Sequence, residues 1–263
     1  MAIGVSTACL YPMETEGALE VLGACGVRET EIFLNSWSEL SDSFCRELER
    51  IRAGYGMRVV SIHPFTSGIE SYMLFSGYLR RFEDCRDIYK KYFETAARLG
   101  GKYVVLHGDR IGNALPAEEY CRRFLALDAD AGSFGVRLLQ ENVNKYRASQ
   151  PEFIRQLRRL SGDAISFVFD VKQAIRSGFG PQAVLDAMGD KVAHVHISDH
   201  DDANDCLLPG RGKADFGSLF RELMAHGNPE NYMLEVYRSA FSTPDALKKA
   251  ADWLRMEYAA SIK

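Results

Sequence analysis

Residues 136–170 read VRLLQENVNKYRASQPEFIRQLRRLSGDAISFVFD. Two short apolar runs, VRLLQE (136–141) and ISFVFD (165–170), each close on a carboxylate, and a charge-rich segment with helical patterning, Gln150–Leu160, lies between them. Strand, helix, strand in this order is the repeating unit of a parallel sheet. The runs LL and FVF are apolar without alternation, as expected of a strand covered on both faces.

The same unit recurs outward in both directions. Further strand candidates are IGVSTA (3–8), TEIFLN (30–35), RVVSIH (58–63), KYVVLH (102–107), VAHVHI (192–197) and YMLEVY (232–237), which makes eight. Helical patterns separate them at Glu14–Cys25, Ser41–Gly54, Tyr72–Leu99, Ala117–Ser133, Gln182–Met188 and Phe216–His226, with Pro244–Ile262 closing the chain. Gly26, Gly56, Gly100, Gly135 and Gly227 stand where helices should stop, the position that favours a residue without a side chain. Eight strands and eight helices in strict alternation predict a (β/α)₈ TIM barrel, a single α/β domain over 1–263. An open doubly wound sheet shares the alternation, but no GxGxxG follows the first strand.

Charge and composition narrow the function. A formal net charge of −4 offers no basic footprint for a polyanion, so nucleic acid is not favoured as a partner. Six cysteines are scattered without a CxxC pair, the usage of a reducing compartment, and are expected to be mostly buried free thiols. The amino-terminal MAIGVSTACLYPME lacks a basic, long-apolar leader pattern, and nowhere do eighteen apolar residues run together; the expected location is the cytoplasm, with no membrane partner.

Glu141, Asp170, His196 and Glu235 each stand at the end of a short apolar run. Polar groups are kept out of such runs unless something compensates their lost hydration, and any one of them alone is best read as a satisfied strand-end group. Four on successive strands form a divalent-metal ligand set. Barrel chemistry sits at the carboxyl ends of the strands, where His63 and His107 also fall, and Glu31 begins to point into the same layer. Of the histidines in HVHISD, His196 is expected to face the interior and His194 to pack outward against helices. The Asp-, Gly- and Pro-rich segment Ser198–Asp215 reads as a flap over the barrel mouth.

The strand ends SIHPF, VVLHGD, LQEN, FVFDVKQA and HVHISDHD, the loop PGRGKADF and the strand LEV together resemble the xylose isomerase-like TIM-barrel superfamily over essentially the whole chain. That superfamily includes sugar isomerases, keto-sugar 3-epimerases, inosose dehydratases and an apurinic endonuclease branch. The resemblance implies one divalent ion (Mn, Mg, Co or Zn) on Glu141, Asp170, His196 and Glu235. It also implies a small-molecule sugar or sugar phosphate as substrate, and an isomerase or epimerase reaction through a metal-stabilised enediolate. Glu141 and Glu235 would be acid and base on opposite faces of a sugar carbon. His63, His107, Gln173 and Arg211 are assigned to substrate binding, with a second metal ion held together with Glu141, or support of the ligand carboxylates, as the alternatives for His63 and His107. Assembly as a homo-oligomer is left open.

Two departures bear on the alternatives. Gln173 stands where many members carry a histidine, and an amide is a poor metal ligand. DHDDANDCLLPGRG (199–212) has no histidine after His200, so the ligand complement of a three-metal abasic-site endonuclease is incomplete. An inosose-type dehydratase would use residues similar to those of the epimerase. A guanidinium at Arg211 suits a phosphate, a carboxylate or sugar hydroxyls, and equally suits a surface pair with Asp199 or Asp215. Trp37 and Phe65 are expected at the core or rim, with stacking on a sugar as the alternative.

Overall fold

In a computed structural model that describes residues 1–113 and 115–262, eight parallel strands close into a barrel in sequence order, β1 to β8. They are β1 (Ala2–Ser6), β2 (Glu29–Leu34), β3 (Arg58–Pro64), β4 (Tyr103–Leu106), β5 (Arg137–Glu141), β6 (Ser166–Asp170), β7 (Val192–Ile197) and β8 (Asn231–Leu234). Each pairs with its sequence neighbours, and β1 closes the ring on β8 through Ala2↔Asn231 to Val5↔Leu234. The fold is the expected (β/α)₈ barrel. His107 and Glu235 lie one residue past their strands rather than inside them, at the start of the loops on the carboxyl side.

The helices pack outside: α1 (Thr15–Ala24), α2 (Asp42–Gly54), α3 (Ser67–Met73), α4 (Leu79–Leu99), α5 (Ala117–Ser133), α6 (Pro151–Ser161), α7 (Val171–Arg176), α8 (Pro181–Met188), α9 (Phe216–Ala225) and α10 (Asp245–Ser261). The single helix expected over Tyr72–Leu99 is two, broken at Ser76 and Gly77, where Leu74 and Phe75 turn inward and are buried. No helix among the described residues is long and apolar enough to cross a membrane. Cys9, Cys45, Cys85 and Cys121 are buried free thiols as expected, and burial pushes Cys9 and Cys85 up to about 12; Cys25 and Cys206 are partly exposed.

Residues two apart on a strand share a face, and this periodicity builds the barrel interior in layers. Val105, Leu139 and Val168 form a small apolar cluster of their own, separate from the larger core between barrel and helices. Two residues further along the same chains come His107, Glu141 and Asp170. The strand period thus stacks a polar layer on an apolar floor.

At Gly4 the barrel wall leaves no room for a side chain: a Cβ there would sit 2.3 Å from the Glu29 carbonyl oxygen and 2.8 Å from Met233 Sδ. Backbone on one side and a packed side chain on the other cannot both retreat. Gly4→Ala is therefore expected to cost about 3 kcal/mol or more, measured as a lowered denaturation midpoint, because overpacking forces the sheet apart.

Candidate functional site

The polar layer is positioned by buried amides at the strand ends. Gln140 donates from Nε2 to the His107 carbonyl (2.9 Å) and accepts the Tyr120 hydroxyl at Oε1, which locks β5 to the end of β4. Asn142 grips the Asp170 backbone from both sides, donating to its carbonyl (3.0 Å) and accepting its N–H (2.7 Å). Glu70, from α3, accepts the Gly108 N–H and hydroxyls of Thr66 and Tyr89, and so fixes the turn that follows His107. These contacts set the heights of His107, Glu141 and Asp170 relative to one another.

Of the four expected metal-ligating residues, the three carboxylates converge on the imidazole of the fourth. His196 Nδ1 lies 2.9 Å from Glu235 Oε2, 3.1 Å from Glu141 Oε1 and 3.7 Å from Asp170 Oδ2. All are buried except Glu235, whose side chain is 18 % exposed and opens toward the mouth. Glu141 Oε2, Asp170 Oδ2 and Glu235 Oε2, one oxygen from each carboxylate, are shut off from solvent, and each faces a single close nitrogen, of His107 (3.0 Å), Lys172 (2.9 Å) and His196 (2.9 Å) respectively. Burial alone would raise the Glu141 pKa, yet hydrogen bonds from His107, His196 and His63 hold it well below the usual carboxylate range. Burial acts likewise on Glu235, but the charges of Lys172 and His196 lower it. Burial disfavours the charged form of His196, but the surrounding carboxylates, Glu31 first, push its pKa well up.

His63 and His107 join this layer. Their Nε2 atoms are 3.2 Å apart and lie 3.7 and 3.0 Å from Glu141 Oε2. His63, Glu141, His196 and Glu235 each bring a donor atom within 4.8 Å of the others. Among the described residues His63, rather than Asp170, stands with the other three inside that distance.

His194 does not pack outward. It is fully buried inside the barrel, with Nε2 3.2 Å from Glu31 Oε2 and its ring 5.2 Å from that of His196. Two residues on, His196 points the same way, as the strand period requires, so the expected division between the two histidines is corrected. Glu31 Oε2 is the hub of this second tier: it accepts from Ser61 Oγ (2.7 Å) and also faces His196 Nε2 (3.2 Å). A carboxylate on one imidazole nitrogen leaves the other free to face the layer above. Burial and the Glu31 contact oppose each other at His194, and its pKa is lowered on balance.

Gln173 touches the cluster through its backbone N–H, 2.8 Å from Asp170 Oδ1, and Arg211 lies on the surface. The Gln173 side-chain carbonyl accepts the Asn144 N–H at 3.1 Å, which braces the loop after β5. Arg211 is exposed and lines a surface cleft with Leu208, Pro209, Lys249 and Trp253, on the α10 side of the loop after β7. Neither acid proposed to pair with it is idle. Asp199 accepts the N–H groups of His200, Gly210, Gly212 and Ala214, while Asp215 caps α9 at Ser218. Arg176 on Asp205 (2.6 Å) ties the Ser198–Asp215 segment to the end of α7, while Asp199 holds the segment together from within. Trp37 and Phe65 meet at the rim with ring centroids 6.0 Å apart.

One participant escaped the sequence reading altogether. Lys172 is 2 % exposed, and its Nζ sits 2.9 Å from Asp170 Oδ2 and 3.0 Å from Glu235 Oε1. Burial works against its charge, but Asp170 and Glu235 hold its pKa well above the usual lysine value. Its only signal in the sequence is its place two residues after a strand-end carboxylate, where most lysines reach solvent.

Known proteins agree with this architecture. Residues 19–256 match the family model described as a xylose isomerase-like TIM barrel. An uncharacterized protein of Mycobacterium tuberculosis is 21% identical over 262 residues, covering 90% of this chain and 89% of its own. Fructoselysine 3-epimerase of Escherichia coli O157:H7 is 22% identical over 192 residues, 69% of either chain. Among solved structures, a D-tagatose 3-epimerase-like protein superposes with a TM-score of 0.80 at 19% identity, covering 100% of this chain and 98% of its own.

The second tier gives a direct test. Glu31→Ala removes the acceptor facing Ser61, His194 and His196 and leaves buried polar groups unpaired. The expected loss is about 3 kcal/mol of stability in chemical denaturation.

Proposed function

From the premise that the chain belongs to the xylose isomerase-like TIM-barrel family, we propose that it is a divalent-metal-dependent isomerase or epimerase of a sugar or sugar phosphate. The observation that carries this reading is the convergence of Glu141, Asp170 and Glu235 on His196 Nδ1 within 3.7 Å. The 3-epimerase names of two similar proteins support it.

The residues fit a divalent ion. Three carboxylates and one imidazole are a hard donor set suited to Mn²⁺, Mg²⁺, Co²⁺ or Zn²⁺, and three carboxylate oxygens shut off from solvent suit a cation. Glu141, Asp170, His196 and Glu235 would hold it. When bound, such an ion supplies Lewis acidity that polarises a substrate carbonyl and acidifies the neighbouring C–H.

The protein's own groups do the proton work. One of Glu141 and Glu235 takes the proton from the carbon beside the carbonyl, and the C–H electron pair moves into an enediolate whose oxygen carries the charge. The other glutamate, approaching from the opposite face, returns a proton to that carbon and inverts it. The first glutamate leaves the cycle protonated and the second ionised, and exchange with water through the mouth beside the partly exposed Glu235 resets them. His63 and His107, whose Nε2 atoms flank Glu141, would donate hydrogen bonds to substrate oxygens and hold the sugar in register. Gln173 and Arg211 would contribute to substrate binding only from the periphery.

Metal-loaded protein incubated with keto-sugars and their phosphates in D₂O is expected to place deuterium on the carbon beside the carbonyl, with loss of exchange on chelation. Glu141→Gln or Glu235→Gln should slow exchange about 10³-fold with an unchanged circular dichroism spectrum. Absence of exchange across a broad ketose panel defeats the reading. Water loss to a keto product from a cyclic polyol would mark an inosose-type dehydratase. Nicking of abasic duplex with two or three bound zinc ions would mark a hydrolase.

A further inference from the structure

Lys172 touches two of the carboxylates assigned to the metal, one on β6 and the other just past β8. The two contacts differ in consequence. At Asp170, Oδ1 is already committed: it accepts the Gln173 N–H at 2.8 Å and caps α7. The oxygen left for an ion is Oδ2, and Lys172 Nζ is 2.9 Å from it. At Glu235 the load is divided, with Oε1 on Lys172 at 3.0 Å and Oε2 facing His196 Nδ1 at 2.9 Å. Glu235 can therefore serve the ammonium and an ion together, whereas Asp170 must share one oxygen between them.

Charge points the same way. Three ligand carboxylates with one ammonium reach neutrality when a divalent ion enters; without the ammonium one negative charge is left over. A buried ammonium beside a dication on a shared oxygen is strongly repelled even at the effective dielectric of a partly hydrated site. In the metal-free protein the same ammonium relieves the repulsion among carboxylates that have no water to screen them. Its stem is buried and its Nζ lies 5.9 Å from the Tyr237 ring, so the ammonium is held at the site by the structure around it.

We propose that Lys172 is a positioning counter-cation of this site. It holds Asp170 and Glu235 in ligating position before an ion arrives, and then competes with the ion for Asp170 Oδ2, so that the metal is bound loosely and exchangeably. This rests on the reading of Glu141, Asp170, His196 and Glu235 as the ligand set. A lysine that served packing alone would, on removal, weaken metal binding by loosening the ligands. A competing cation does the reverse.

The test is Mn²⁺ binding by calorimetry to metal-stripped wild type and to Lys172→Met, which keeps the length of the stem and removes the charge. The variant is expected to bind Mn²⁺ at least roughly tenfold more tightly and to melt at a lower temperature when metal-free. Should it be too unstable for titration, it is purified with Mn²⁺. The rise in its Tm at a fixed Mn²⁺ excess should then exceed that of the wild type, since a ligand stabilises in proportion to its affinity. Binding by the wild type with equal or weaker binding by Lys172→Met overturns the role given to Lys172 and leaves the metal reading standing. Binding by the variant alone supports it. Failure of both proteins to bind overturns both readings.

Discussion

Keeping four carboxylates inside a barrel is the constraint to which the rest of this structure answers. Glu31, Glu141 and Asp170 are buried, and Glu235 nearly so, in an interior whose outlet is the mouth. An ionised carboxylate without partners does not survive such a place; it neutralises or finds a cation. Here the cations come from the same strand ends. His196 faces Glu31 with one nitrogen and the upper carboxylates with the other, and Lys172 spans Asp170 and Glu235. The site is thus a two-tier electrostatic unit with His196 as its shared element.

That unit needs a rigid frame, because a carboxylate displaced by an ångström loses its partner. The frame is made largely of backbone hydrogen bonds to side chains: Gln140 across β4 and β5, Asn142 across β5 and β6, and Glu70 under the turn after His107. Asp199 does the same for the loop after β7 by gathering four backbone N–H groups. Below the polar tiers, Val105, Leu139 and Val168 fill the barrel floor.

Much of the site is legible in the order of residues along the chain. Strand ends in a βα barrel face the mouth, so the position of Glu141, Asp170 and His196 at the close of apolar runs suffices to bring them together. Glu235 lies one residue beyond its strand and still joins them, since the chain keeps its direction into the loop. The histidines illustrate a limit of another kind. The period of two is enough to place His194 and His196 on one face, and the expectation that separates them goes against that period. Arg211 shows the opposite case: a loop residue at a plausible height whose direction depends on how Asp199 folds the loop around it.

By itself the sequence determined the eight-strand alternation, the closed barrel and the identity of the strand-end donors, because these follow from hydrophobic period and from the fixed polarity of a parallel strand. Only the tertiary structure decided that Lys172 turns inward, that Glu31 anchors a second tier and that His63 joins Glu141, His196 and Glu235 within 4.8 Å. Those outcomes depend on distances between residues far apart in the chain, in a space where the balance between desolvation and a nearby opposite charge is settled by about an ångström.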